Sequence, residues 1–76
     1  MPSAFVFITV DMGHMAPVAK KLKNIEGVKE VHMLYGSYDI VAKINADTMD
    51  KLKELVTQHV RRIDDVRTTL TMITRE

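Results

Sequence analysis

Residues Ala4-Phe5-Val6-Phe7-Ile8-Thr9-Val10 form a run that is apolar at odd and even positions alike. A strand with that pattern is stable only when both of its faces are covered, which predicts a central strand of a sheet. A second run, Tyr38 to Asn45, carries Ile40, Val41, Ala42 and Ile44 and makes the same demand. The chain has 76 residues, and a domain of that size buries only about 60% of the surface its unfolded chain exposes. Two doubly apolar strands therefore ask for more cover than one small chain supplies.

The intervening stretches define the rest. Asp11 to Ala16 reads as a loop broken at Gly13, and Pro17 suits the first turn of a helix, where its missing N–H costs nothing. Met15, Val18, Leu22 and Ile25 fall on one helical face and Lys20, Lys21, Lys23 and Asn24 on the other, with Gly27 predicted as the left-handed closing residue. Val28 to Tyr35 alternates, with Lys29, Glu30 and His32 between apolar residues, as an edge strand does. Gly36-Ser37 then predicts a tight two-residue hairpin turn, and Asp39 opens the next strand. Asp47 is the expected N-cap of a second helix, whose buried stripe is Met49, Leu52, Leu55, Val56, Val60 and Ile63. Its wet side carries Lys51, Lys53, Glu54, Gln58, Arg61 and Arg62, and Val66 to Thr74 alternates as a last strand with Arg67, Thr69 and Thr71 on a polar face.

The order β-α-β-β-α-β predicts an α+β, ferredoxin-like domain with a four-stranded antiparallel sheet. The halves echo each other at Ile25-Glu26-Gly27-Val28-Lys29 and Ile63-Asp64-Asp65-Val66-Arg67. Right-handed crossovers place both helices on one face. The other face is then bare in a monomer, and each large apolar side chain left there forfeits roughly 1.5–3 kcal/mol. A homodimer packed sheet to sheet is the expected remedy.

Several function classes drop out on composition. With no cysteine, disulfides, thiolate catalysis and Cys-based metal sites are excluded, and a reducing cytoplasm is the expected location. A formal net charge of +1 argues against a dedicated nucleic-acid binder. The Ala4–Val10 run is too short to span a bilayer and lacks a basic leader, so neither secretion nor membrane insertion is expected. His14, His32 and His59 show no close spacing that defines a metal site; Asp11 and His14 are near neighbours, but two ligands are too few, and no metal or cofactor is expected. Gly13, Gly27 and Gly36 are too scattered for a phosphate loop, and Met15, Met33, Met49 and Met72 fall on apolar pattern positions. No nucleophile with an adjacent base emerges, so an enzyme is not expected. Asp39 stands out, because an acid at the start of an apolar strand must be paired, capped or wetted. Together with turn amides and the hydroxyls of Thr69 and Thr71, it suits the ammonium and carboxylate of an amino acid.

The spacing Gly13-x4-Val18-x3-Leu22-x2-Ile25-x-Gly27-Val28-x2-Val31-x4-Gly36-Ser37-Tyr38-Asp39, followed by Val66-x2-Thr69-x-Thr71, resembles the effector domain of the Lrp/AsnC transcription regulators. The resemblance covers nearly the whole chain. It implies dimers joined through their sheets, rings of such dimers, and an amino-acid effector bound where dimers meet. Carried over, Gly36, Ser37, Tyr38 and Asp39 match the effector turn, and Thr69 and Thr71 the strand beside it. Asp65 departs from the pattern, standing where a Gly often precedes the last strand's Val. Family regulators carry a helix-turn-helix domain ahead of this one; here 1–76 reads as the effector domain alone, expected to sense an amino acid and to modulate a full-length regulator without binding DNA itself. The competing readings are a cofactor-free, monooxygenase-like enzyme of the dimeric α+β barrel type, which needs a pocket between sheet and helices and is favoured by a large internal cavity lined by a His and a Tyr or Asn, and a purely structural assembly domain.

Overall fold

The structure is a computed structural model, and it describes residues 2–74. Its elements run β1 (Ser3–Val10), α1 (Met15–Lys23), β2 (Val28–Met33), β3 (Ile40–Asn45), α2 (Met49–Glu54) with a π-helical continuation Leu55–Val60, and β4 (Val66–Ile73). The strands form one antiparallel sheet in the order β2-β3-β1-β4. The central pair is β1, apolar on both faces, and β3, apolar on the helix side at Ile40, Ala42 and Ile44 but carrying Lys43 beside Val41 on the other, and the alternating β2 is an edge. This is the α+β, ferredoxin-like arrangement expected from the sequence.

Register sorts the side chains between the two faces. Val6 lies opposite Ala42 and Thr71, and Ile8 opposite Ile40 and Thr69, all on the helix side. There Val6, Ile8, Ile40 and Ile44 are sealed by Val18 and Leu22 of α1 and by Leu52 and Val60 from the second helical segment. Phe7 lies opposite Val41 and Leu70, and Phe5 opposite Lys43 and Met72, on the side that carries no helix. Phe5 is 38% exposed, Leu70 39% and Met72 53%. Toward β2 this open face turns charged: His32 Nε2 donates to Glu30 Oε1 at 3.0 Å, and Lys43 Nζ is 4.0 Å from Glu30 Oε2.

The helices depart from the expected boundaries. α1 ends at Lys23, so Gly27 closes the turn into β2 and does not cap the helix. Thr48 is the N-cap of α2 in place of Asp47: its backbone is extended, and its hydroxyl accepts from Lys51 N–H at 3.1 Å. The second helix is not α-helical throughout. Thr57 Oγ1 donates to the Lys53 carbonyl at 2.9 Å, drawing on an acceptor of the α-helical ladder, and Arg61 N–H bonds the Val56 carbonyl five residues back. Among the described residues, no helix is long and apolar enough to cross a membrane.

Gly27 has φ of +100°, and a Cβ there would sit 2.7 Å from Leu55 Cδ1 and 3.0 Å from the Asn45 carbonyl oxygen. Gly27→Ala is expected to lower unfolding free energy by about 1–3 kcal/mol or more, read by urea denaturation, because strain and crowding add. The Glu30 carboxyl is held below its ordinary range chiefly by the His32 hydrogen bond, with Lys43 attraction adding and desolvation opposing. A lowered carboxyl stabilises the fold above the ordinary glutamate range, and that contribution fades as pH falls through the lowered value. In an NMR titration, the Glu30 midpoint should therefore move upward in His32→Ala.

Candidate functional site

The Gly36–Asp39 turn is wider than a two-residue hairpin. Leu34 N–H donates to the Asp39 carbonyl at 2.8 Å, which leaves Tyr35 to Tyr38 as the connecting loop. Gly36 and Ser37 are exposed, and Gly36 takes φ of +140°. Tyr38 leans back over the open sheet face, its ring centroid 5.6 Å from that of Phe7. Asp39 is tied inward: its N–H donates to the Ile8 carbonyl at 2.9 Å, and its Oδ2 accepts from Val10 N–H at 2.9 Å. The carboxylate thus closes the end of β1, which is how an acid beside an apolar strand is satisfied here.

Thr69 and Thr71 lie elsewhere, on the helix side of the edge strand β4. Nothing in the helical layer covers them fully, and a groove of about 670 Å³ opens between β4 and the second helical segment. Leu52, Val56, Val66 and Ile73 supply its apolar lining, Thr57, Thr69 and Thr71 hydroxyls, and Lys53, Arg61 and Arg67 positive charge. No residue of the Gly36–Asp39 turn is among its lining. Within one chain the structure brings Thr69 and Thr71 together and leaves the turn apart from them. The three cations are the residues that sequence pattern left on the solvent side, since periodicity separates buried from exposed positions but does not mark the rim of a groove.

A second open hollow of about 680 Å³, between the end of α1 and the second helical segment, brings His59 together with Asn24 and Asn45. The Asn45 Oδ1 is buried there without a hydrogen-bond partner. Glu26, Lys29, Asp47, Lys51 and Glu54 surround it, and among the described residues no acid pairs with the His59 ring. It is an open polar hollow at the surface.

A family model described as the Lrp/AsnC ligand binding domain matches residues 3–76. The chain belongs to that family. An uncharacterized HTH-type transcriptional regulator of Pyrococcus furiosus is 34% identical to the Lrp/AsnC domain described here over 74 residues, which cover 93% of this chain and 49% of the relative. The chain therefore spans about half the length of that regulator. A homocitrate synthase of Saccharolobus islandicus is 38% identical over 56 residues, 74% of this chain but 12% of that enzyme. Among solved structures, the crystal structure of FFRP-DM1 superposes with a TM-score of 0.95 at 32% identity, covering 99% of this chain and 100% of that one.

Asp39→Ala should destabilise the Lrp/AsnC domain by about 1–3 kcal/mol in chemical denaturation, because Val10 N–H loses its acceptor. Asp39→Asn, which retains a carbonyl oxygen, should lose distinctly less.

Proposed function

We propose that this domain senses a small amino acid and passes on its occupancy through assembly, adjusting a transcription regulator or an enzyme without catalysis or DNA contact of its own. The observation that carries this reading is the α2–β4 groove. Its Lys53, Arg61 and Arg67 suit a carboxylate, Thr69 and Thr71 offer hydroxyls, and the apolar floor accepts a side chain. The acid that would face the ammonium, Asp39, lies outside the groove, in the Gly36–Asp39 turn. A site completed by the turn of a neighbouring chain accounts for both placements, with Gly36, Ser37, Tyr38 and Asp39 from one copy and Thr69 and Thr71 from another.

Assembly has its own support in the open sheet face. Phe5, Phe7, Val41, Leu70 and Met72 form an apolar surface that suits a second copy of the chain, and rings of such dimers would bring turns and grooves together. The transcription regulator and the homocitrate synthase among the relatives carry stretches similar to this domain within longer chains, which supports a modular role beside a larger partner. The setting of that role is the cytoplasm.

A thermal-shift titration of the purified protein against each of the twenty amino acids tests the reading. Ligand at about a hundred times its Kd adds roughly 2.7 kcal/mol, enough to raise the melting temperature visibly. One or two amino acids should stabilise the native chain and fail to stabilise Thr71→Val or Asp39→Asn. Silence from all of them would sink the sensor. Phe7→Glu should convert a dimer into a monomer in sedimentation velocity, since a charge would be buried at the centre of the sheet contact.

A further inference from the structure

The fold brings three separate segments together beside the end of β1. Asp11 follows β1, His14 stands immediately before α1, and Asp65 immediately precedes β4. One ligand atom from each lies within 4.8 Å of the other two. His14 Nδ1 and Asp65 Oδ1 are 4.0 Å apart, too far for a hydrogen bond to explain their approach. Ligands bound at about 2.0–2.2 Å around one cation stand about 3–4 Å from each other, so a small closure of these side chains completes a coordination set.

The backbone holds the set in place. Asp11 N–H donates to the Asp65 carbonyl at 2.9 Å, and His14 N–H donates to the Asp11 carbonyl at 3.0 Å. Asp65 has φ of 76° and is the only non-glycine residue with positive φ among those described. A glycine would take that conformation with less strain but would bring no carboxylate. Charge points the same way. Arg67 Nε reaches Asp11 Oδ1 at 3.7 Å, while Asp65 meets only the His14 ring among the described ion pairs. One of two adjacent carboxylates is thus left without a fixed cation, and its partner imidazole is itself a ligand.

We propose that Asp11, His14 and Asp65 form a divalent-cation site. Two carboxylate oxygens and one imidazole nitrogen suit Zn2+ or Mn2+, with water in the remaining positions because all three side chains are partly open to solvent. The site is separate from the amino-acid groove, yet it touches it through Arg67, which lines the groove and pairs with Asp11. A cation on Asp11 competes with that pairing.

The test is equilibrium dialysis of the metal-free protein against Zn2+ alone and against Mn2+ alone. One ion per chain is expected for the native protein. Asp65→Gly keeps the left-handed turn at lower strain, so the chain stays folded while losing a ligand. Its affinity should fall by more than the roughly tenfold that losing even an outer-shell partner costs. His32→Gln and His59→Gln should bind like the native chain, and Mn2+ should broaden the His14 ring resonances ahead of those of His32 and His59. Failure to bind either ion, or binding that survives undiminished in both Asp65→Gly and Asp11→Asn, would overturn the site.

Discussion

A four-stranded sheet has two faces, and this chain has helices for one of them. Everything else in the architecture answers to that imbalance. β1 occupies the centre with apolar side chains above and below, β3 beside it brings the apolar row Ile40, Ala42 and Ile44, and the helices seal only the Val6, Ile8, Ile40 and Ile44 side. The facing row built on Phe5 and Phe7 keeps its apolar character where water would favour polar residues. A monomer bears that cost with nothing in return, whereas a self-complementary contact turns it into association free energy.

The strand layout was legible because it depends on a signal that tolerates error. A strand such as β1, apolar at odd and even positions alike, has one place to go in a sheet, and a strand such as β2, with Lys29, Glu30 and His32 interleaved, has another. The helix details depend on finer competitions. Asp47 and Thr48 are both good caps, and the extended backbone at Thr48 decides between them. The π-helical stretch accompanies a Thr57 hydroxyl that donates to the Lys53 carbonyl, a competition between donors for one acceptor that spacing alone does not reveal. The loop after β2 is longer than Gly36-Ser37 suggests, since the ladder ends at the Leu34–Asp39 pair before the turn begins.

The candidate sites were legible in part for related reasons. Alternation placed Thr69 and Thr71 on one face of the last strand, and the register confirms that they share it. Pattern reading does not tell open solvent from the mouth of a groove, so Lys53, Arg61 and Arg67 looked like ordinary surface charges. Asp11 and His14 are close in sequence, but their third companion is far along the chain. Only the antiparallel pairing of β1 with β4, which joins the exit of one strand to the entrance of the other, carries Asp65 to them.

The hydrogen bond from Val10 N–H to Asp39 makes that carboxylate a shared anchor. Any cationic group that draws on Asp39 pulls on the last residue of β1, and the next residue along the chain is Asp11, whose own backbone is fastened to Asp65. The turn after β2 and the junction before β4 are thus bonded to successive backbone amides, those of Val10 and Asp11. The end of β1 is therefore a junction of the fold, pinned through adjacent amides to segments that flank opposite edges of the sheet.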